Sequence, residues 1–94
     1  MDIAIVDNAE QRRYEARAGS ELVGRISYDL EGDLITLIHT EVEPEQEGKG
    51  IAGRLVAGAL ADIRGRGLRL RPVCRFVQSY LERHPEHDDL VESG

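Results

Sequence analysis

The feature that most limits how this chain can fold is a polar glycine turn between two apolar segments. The turn spans residues 44–52 and reads PEQEGKGIA. Residues 34–38 before it form a continuous, β-branched run that is typical of a buried strand. After it, apolar residues recur at helical spacing, namely Ile51, Ala52, Leu55, Val56, Ala59, Leu60 and Ile63. The sequence therefore predicts a strand that leads through a Gly-x-Gly turn into a long helix over about 50–64.

A turn of this kind is a candidate anion site. Two glycines one residue apart let the main chain approach a ligand, and the first turn of the following helix has unpaired N–H groups with partial positive charge. Such N–H groups bind phosphate or pyrophosphate. Glycines also close strand-to-helix turns that bind nothing, so the pattern alone leaves both interpretations open. A P-loop is excluded because its motif requires Ser or Thr after the lysine, and here Gly50 follows Lys49. A Rossmann dinucleotide site is excluded because no GxGxxG opens a helix early in the chain.

The remaining segments predict an α/β fold with a mixed sheet. Strands are expected over 3–6, 11–17, 22–30, 34–42 and 68–73, and a second helix over 74–83. The first four strands are joined by short turns and therefore form an antiparallel meander. The fifth follows a crossover helix and should lie parallel to the fourth. A chain of 94 residues with 40% hydrophobic content is expected to form one domain, 1–94.

Four short motifs resemble those of the GCN5-related N-acetyltransferases, and in particular a small single-domain subfamily. They read HTEV at 39–42, EGKGIA at 47–52, PVC at 72–74 and YLERHP at 80–85. The resemblance implies an acyl-CoA N-acyltransferase fold, with a sheet that is splayed open where the fourth strand diverges from the fifth. It also implies acetyl transfer from acetyl-CoA to an amine acceptor. It also implies that acetyl-CoA is bound by Val42, Glu47, Gly48, Lys49, Gly50, Ile51 and Ala52.

One position departs from the family signature, which is Gln or Arg, two residues of any type, Gly, any residue, and Gly or Ala. Glu45 stands where the signature has Gln or Arg, and a carboxylate cannot donate a hydrogen bond to phosphate. The turn is therefore expected to bind the pyrophosphate through main-chain N–H groups, with help from Lys49.

Four side chains are candidates for catalysis. Strict alternation along the fourth strand places His39 and Glu41 on the face of Ile35 and Leu37, about 7 Å apart. There they either remove the proton of the acceptor amine or meet water where the strand leaves the core. Cys74 begins a helix, where a thiolate is favoured, so it is either an acetyl carrier or a buried structural residue. By resemblance Tyr80 protonates the departing CoA thiolate; otherwise it is a core aromatic.

Composition narrows the partners. A net charge of −6 disfavours nucleic acid and favours an amine-bearing acceptor. The single cysteine and the absence of zinc spacing predict no metal site, and the absence of a signal or membrane segment predicts a cytoplasmic protein.

A basic cluster is either a solvated rim or a site for the 3′-phosphate of CoA. Its members are Arg64, Arg66, Arg69, Arg71 and Arg75.

Two alternatives to an enzyme stay open. A non-catalytic acyl-CoA-binding module would need the glycine turn but not Glu41, His39 or Cys74. A purely structural protein would have no CoA affinity. The acceptor and the oligomeric state are not specified by the sequence.

Overall fold

The computed structural model describes residues 2–92. Its strands are Ala4–Asn8 (β1), Arg13–Ala18 (β2), Glu21–Glu31 (β3), Leu34–Val42 (β4) and Arg69–Pro72 (β5). Its α-helices are Ile51–Gly65 (α1) and Arg75–Arg83 (α2), and 3₁₀ helices span Pro44–Gln46 and Pro85–Leu90. Among these residues no helix is both long and apolar enough to span a bilayer.

The sheet has the predicted mixed topology. Its strand order is β1-β2-β3-β4-β5, with antiparallel pairing from β1 to β4 and parallel pairing of β4 with β5. α1 packs on β1 to β4, α2 packs on β4 and β5, and the two helices contact each other. One core cluster contains the buried side chains of both helices together with those of the sheet. We call the opposite side of the sheet the outer face.

The two glycines inside α1 have different roles. A Cβ on Gly58 would lie 2.7 Å from Cγ2 of Ile5, so this glycine lets β1 pack closely against the helix. A Cβ on Gly53 would meet no heavy atom within 4 Å. Close packing on the sheet therefore explains Gly58 and does not explain Gly53.

Two buried tyrosines donate hydrogen bonds to carboxylates near the C-terminal end of α1. The Tyr14 hydroxyl donates a hydrogen bond of 2.7 Å to Asp62 of α1, and the Tyr28 hydroxyl donates one of 2.6 Å to Asp7 of β1. Burial, together with these carboxylates, raises the pKa of Tyr14 far above its ordinary value and that of Tyr28 to about 12. Arg66 contacts both carboxylates at 3.0 and 3.1 Å, which balances their charge.

β2 is more deeply buried than its alternating sequence suggests. Glu15 is only 2% exposed although it lies on the outer face, because Arg13 and Arg17 fold over it. Burial alone would raise the pKa of Glu15, but hydrogen bonds from Asn8 and the two arginines outweigh it and lower the pKa to about 2.

β4 contains a bulge that interrupts its alternation. Leu37 pairs with Tyr28 and His39 pairs with Ser27, so Ile38 has no partner on β3 and is 45% exposed. Beyond such a bulge the two faces of the strand are exchanged. The prediction that His39 and Glu41 continue the face of the buried Leu37 is therefore wrong.

Three members of the basic cluster are paired with acidic side chains. Arg64 binds Asp89, Arg66 binds Asp7 and Asp62, and Arg71 binds Glu92. The hydrogen bond from Arg64 lowers the pKa of Asp89, as expected for an ion pair. Arg64 lies at the end of α1 opposite the glycine turn. At the rise of an α-helix this separation is roughly 20 Å. These contacts favour the interpretation of the cluster as a surface rim.

Candidate functional site

A gap opens where β4 and β5 separate. β5 pairs only with the first four residues of β4, and the carbonyl of Leu37 then accepts hydrogen bonds from the N–H groups of both Val73 and Cys74. The chain turns into α2 at this point, so β4 beyond the bulge has no β5 partner. The predicted splay is confirmed, and its cause is the double hydrogen bond at Leu37.

A cavity of about 390 Å³, the first cavity, occupies the gap. It is lined by Thr40, Val42, Gln46, Glu47, Gly48, Gly50, Ile51, Ala52, Gly53 and Phe76. Six of the seven residues predicted to bind acetyl-CoA are among them. The seventh, Lys49, points elsewhere. Sequence reasoning missed Thr40, Gln46, Gly53 and Phe76.

The glycine turn forms one end of the first cavity and offers it unpaired donors. Gly48 and Gly50 have φ angles of 83° and 74°. This region favours glycine, and Gly50 is the N-cap of α1. The first helical hydrogen bond is donated by Arg54 to the Gly50 carbonyl. Within residues 2–92 no acceptor lies opposite the N–H groups of Ile51, Ala52 and Gly53, and no side chain caps them. Three successive N–H groups are therefore free to bind an anion.

Gln46 adds a side-chain donor next to this turn. Its Oε1 accepts a hydrogen bond of 3.2 Å from Nζ of Lys49. The amide NH₂ of Gln46 is therefore free to donate into the first cavity. Glu45, one residue earlier, does not line the cavity. The donor that the family signature supplies through Gln or Arg is therefore available from the neighbouring position.

β4 forms the side wall of the first cavity and offers main-chain groups. The N–H of Glu43 binds the carbonyl of Val23 on β3. Main-chain groups along an antiparallel strand alternate in direction. The N–H and C=O groups of Thr40 and Val42 therefore point away from β3, into the gap. An extended ligand can pair with them as an added strand would.

Cys74 closes the gap on the α2 side. It is buried, it is the N-cap of α2 as predicted, and its Sγ lies 3.2 Å from Oγ1 of Thr40. One turn into α2, Phe76 contributes an aromatic wall. Thr40 and Cys74 thus join β4 to α2 across the gap.

His39 and Glu41 share the outer face, on the side of β4 opposite the first cavity. The Glu41 side chain is 52% exposed and contacts Nε of Arg25 at 3.3 Å. A smaller cavity of about 240 Å³ lies beside it, and we call it the outer cavity. It is lined by Arg25, Glu41, Val42, Glu43 and Pro44. Val42 borders both cavities, so only the thickness of one strand separates Glu41 from the gap.

Tyr80 lies one turn beyond Phe76 on α2 and does not line the first cavity. Its ring stacks on His84 with centroids 4.1 Å apart, and His87 follows at 6.4 Å. Half-burial and stacking make it part of the packing between α2 and the 3₁₀ helix that follows.

Only some of the missed residues left a signal in the sequence. Phe76 recurs at helical spacing with Val77, Tyr80 and Leu81, which is a pattern that the sequence shows directly. Gly53 stands among good helix formers with no packing role. Thr40 reaches the cavity only because the bulge at Ile38 changes the face, and nothing local in the sequence marks that bulge.

Solved structures with the same fold include acetyltransferases. The chain superposes with a TM-score of 0.71 on a GCN5-like protein of Staphylococcus aureus, at 19% identity and over 97% of this chain and 89% of that one. Two longer proteins match over 66% of this chain. The match spans less than half of the length of either protein. They are a GNAT family acetyltransferase of Brucella melitensis in complex with acetyl-CoA, with 27% identity, TM-score 0.54 and 47% coverage, and the IAA acetyltransferase of Bacillus cereus, with 24% identity, TM-score 0.53 and 44% coverage.

No curated protein gives a significant match to this chain. The model of the GCN5-related N-acetyl-transferase family, in contrast, matches residues 13–90 of the 94. The matched span includes β2 to β5, both helices, the glycine turn and the first cavity. The chain belongs to the GCN5-related N-acetyltransferase family.

Proposed function

We propose that the protein is an acetyl-CoA-dependent N-acetyltransferase that transfers an acetyl group to an amine. The observation that carries the proposal is the first cavity, in which the free N–H groups of α1 and the free main-chain edge of β4 face one gap. The pyrophosphate of acetyl-CoA would bind Gly48, Gly50 and the first turn of α1. The pantetheine arm would then extend along Thr40 and Val42.

Two further observations support acetyl-CoA as the ligand. The related acetyltransferase of Brucella melitensis has been solved in complex with acetyl-CoA. In this chain, Phe76 and Val42 give the middle of the gap an apolar lining, which suits the alkyl parts of pantetheine. The amide NH₂ of Gln46 supplements the main-chain donors where Glu45 cannot.

The chemistry needs one attack and one proton transfer. The amine nitrogen attacks the thioester carbonyl, the C–N bond forms, and the C–S bond breaks to release CoA as its thiolate. In the transition state the carbonyl oxygen gains negative charge, which the N–H of Val42 is directed to stabilise. The thiolate takes its proton from Tyr80, or from water at the open end of the gap.

The amine would reach the thioester from the outer face, where the candidate bases are. Glu41 borders the outer cavity and can accept the ammonium proton, although Arg25 already contacts one of its oxygens. His39 is exposed on the same face and has no side-chain hydrogen bond within residues 2–92. We assign proton removal to Glu41, with His39 as the alternative base, and treat Cys74 as a wall of the site.

A non-catalytic acyl-CoA-binding module remains the second candidate. The exposed ion pair of Glu41 with Arg25 favours it, because the contact occupies a carboxylate oxygen that proton removal would use. Both candidates require the same ligand site and differ only in turnover.

The ligand is tested by thermal denaturation with acetyl-CoA. Binding at a hundredfold excess over Kd should stabilise the fold by about 2.7 kcal/mol. Turnover is tested separately by release of free CoA thiol in the presence of a panel of amines. Stabilisation without thiol release would support the binding module. No stabilisation at millimolar acetyl-CoA would exclude both candidates.

A further inference from the structure

A second cavity of about 290 Å³ lies on the other side of the first turn of α1. It is lined by Ile3, Lys49, Ile51 and Arg54. Ile51 borders this cavity and the first one, so the two meet at the helix N-terminus where the pyrophosphate is proposed to bind. Nothing in the proposed reaction uses the second cavity.

Its two cations lack acidic partners among the described residues. Nζ of Lys49 donates only to the neutral Gln46, and Arg54 makes no side-chain hydrogen bond or ion pair within residues 2–92. Most other arginines of this part of the chain are paired, including Arg13, Arg17 and Arg25. In a protein of net charge −6, two such cations on one cavity mark a place where an anion is accommodated.

We propose that Lys49 and Arg54 bind the 3′-phosphate of the CoA ribose. The inference rests on the proposed function, because it assumes that the pyrophosphate occupies the adjacent helix N-terminus. The 3′-phosphate is then the one remaining anionic group of CoA, and the ribose holds it within a few bonds of the pyrophosphate. A phosphate monoester presents several charged oxygens, which suits the fork of an arginine and the point charge of a lysine together.

Other cations fit this role less well. Arg64 and Arg66 lie at the far end of α1 and are ion-paired. Arg75 has no acidic partner within residues 2–92, but it does not line the first, the second or the outer cavity. Arg75 is therefore a suitable control, since it is an arginine without an ion pair at the start of the other helix.

The test compares acetyl-CoA with acetyl-3′-dephospho-CoA by isothermal titration calorimetry. Because each exposed cation contributes a few-fold, the wild-type protein should bind acetyl-CoA about 5- to 20-fold more tightly. Arg54→Gln and Lys49→Gln should each reduce this preference, and the double variant should abolish it. Arg75→Gln should keep the full preference. Raising the salt concentration from about 0.05 to 0.5 M should reduce the preference of the wild type for acetyl-CoA. In the double variant, the ratio of the two affinities should not change with salt.

The outcomes separate this inference from the function on which it rests. Equal binding of both ligands by the wild type would overturn the 3′-phosphate site and leave the proposed function intact. Loss of preference in Arg75→Gln instead of Arg54→Gln would also overturn it, because the phosphate would then lie near α2. If neither ligand binds, the proposed function fails and the inference fails with it.

Discussion

Replacing Gly53 by alanine is expected to stabilise the protein and weaken acetyl-CoA binding at the same time. Gly53 is in the first turn of α1 with an ordinary negative φ, and a Cβ there would meet no protein atom within 4 Å. The methyl group would instead project towards the first cavity, which Gly53 lines. The two effects have opposite signs because the space is empty in the protein and is filled by acetyl-CoA in the proposed complex.

The stability gain follows from helix propensity. Alanine is more favourable than glycine in a helix by about 0.5–1 kcal/mol. For a domain of this size, each kcal/mol shifts Tm by about 4–8 °C, so Tm should rise by roughly 2–8 °C. On the binding side, forcing a methyl group into a filled contact typically costs about 1–3 kcal/mol, which corresponds to a roughly 5- to 150-fold increase in Kd.

The assay is thermal denaturation without ligand, followed by calorimetric titration with acetyl-CoA. Gly58→Ala is the matched control, because its Cβ would lie 2.7 Å from Ile5 and away from the first cavity. It should be destabilised by roughly 1–2 kcal/mol, the crowding outweighing the gain in propensity, and should bind acetyl-CoA like the wild type.

Two results would refute the reasoning. If Gly53→Ala binds acetyl-CoA with unchanged affinity, the ligand does not approach the first turn of α1. If Gly53→Ala lowers Tm, the position is not the open helical site described. Gly50→Val is a less informative variant, because the positive φ of Gly50 would strain any branched residue whether or not a ligand binds.

Further outcomes concern the reaction and the response to pH. If the amine attacks the thioester directly, Cys74→Ala keeps most activity and Glu41→Gln loses roughly 10²-fold in kcat. Mass spectrometry after incubation with acetyl-CoA tests the alternative. An acetyl adduct on Cys74 that passes to added amine would reverse this assignment. Glu15 has a pKa of about 2 in the folded state against an ordinary 4.5, so its charge stabilises the fold above about pH 4.5 and this contribution disappears as the pH falls towards 2. Urea midpoints measured between pH 7 and pH 3 should therefore fall less steeply in Glu15→Gln, and equal slopes in the two proteins would show that the ion pairs of Glu15 do not stabilise the fold.

The sequence by itself determined the order and type of the elements. Alternating and helical periodicity are local properties, and they predicted β4 at its observed bounds and α1 to within a residue at each end. The glycine turn was equally legible, because a positive φ at Gly48 and Gly50 is a requirement of the local main chain. A crossover helix between two strands also dictated the parallel pair at the edge of the sheet.

Tertiary structure alone decided which side chains meet at the site. The bulge at Ile38 arises from the register between β3 and β4, and it moved His39 and Glu41 to the outer face while bringing Thr40 to the first cavity. The pairing of the arginine-rich segment with acidic residues likewise joins positions far apart in sequence, as with Arg66 and Asp7. Such contacts depend on distances across the sheet, which periodicity along one strand does not contain.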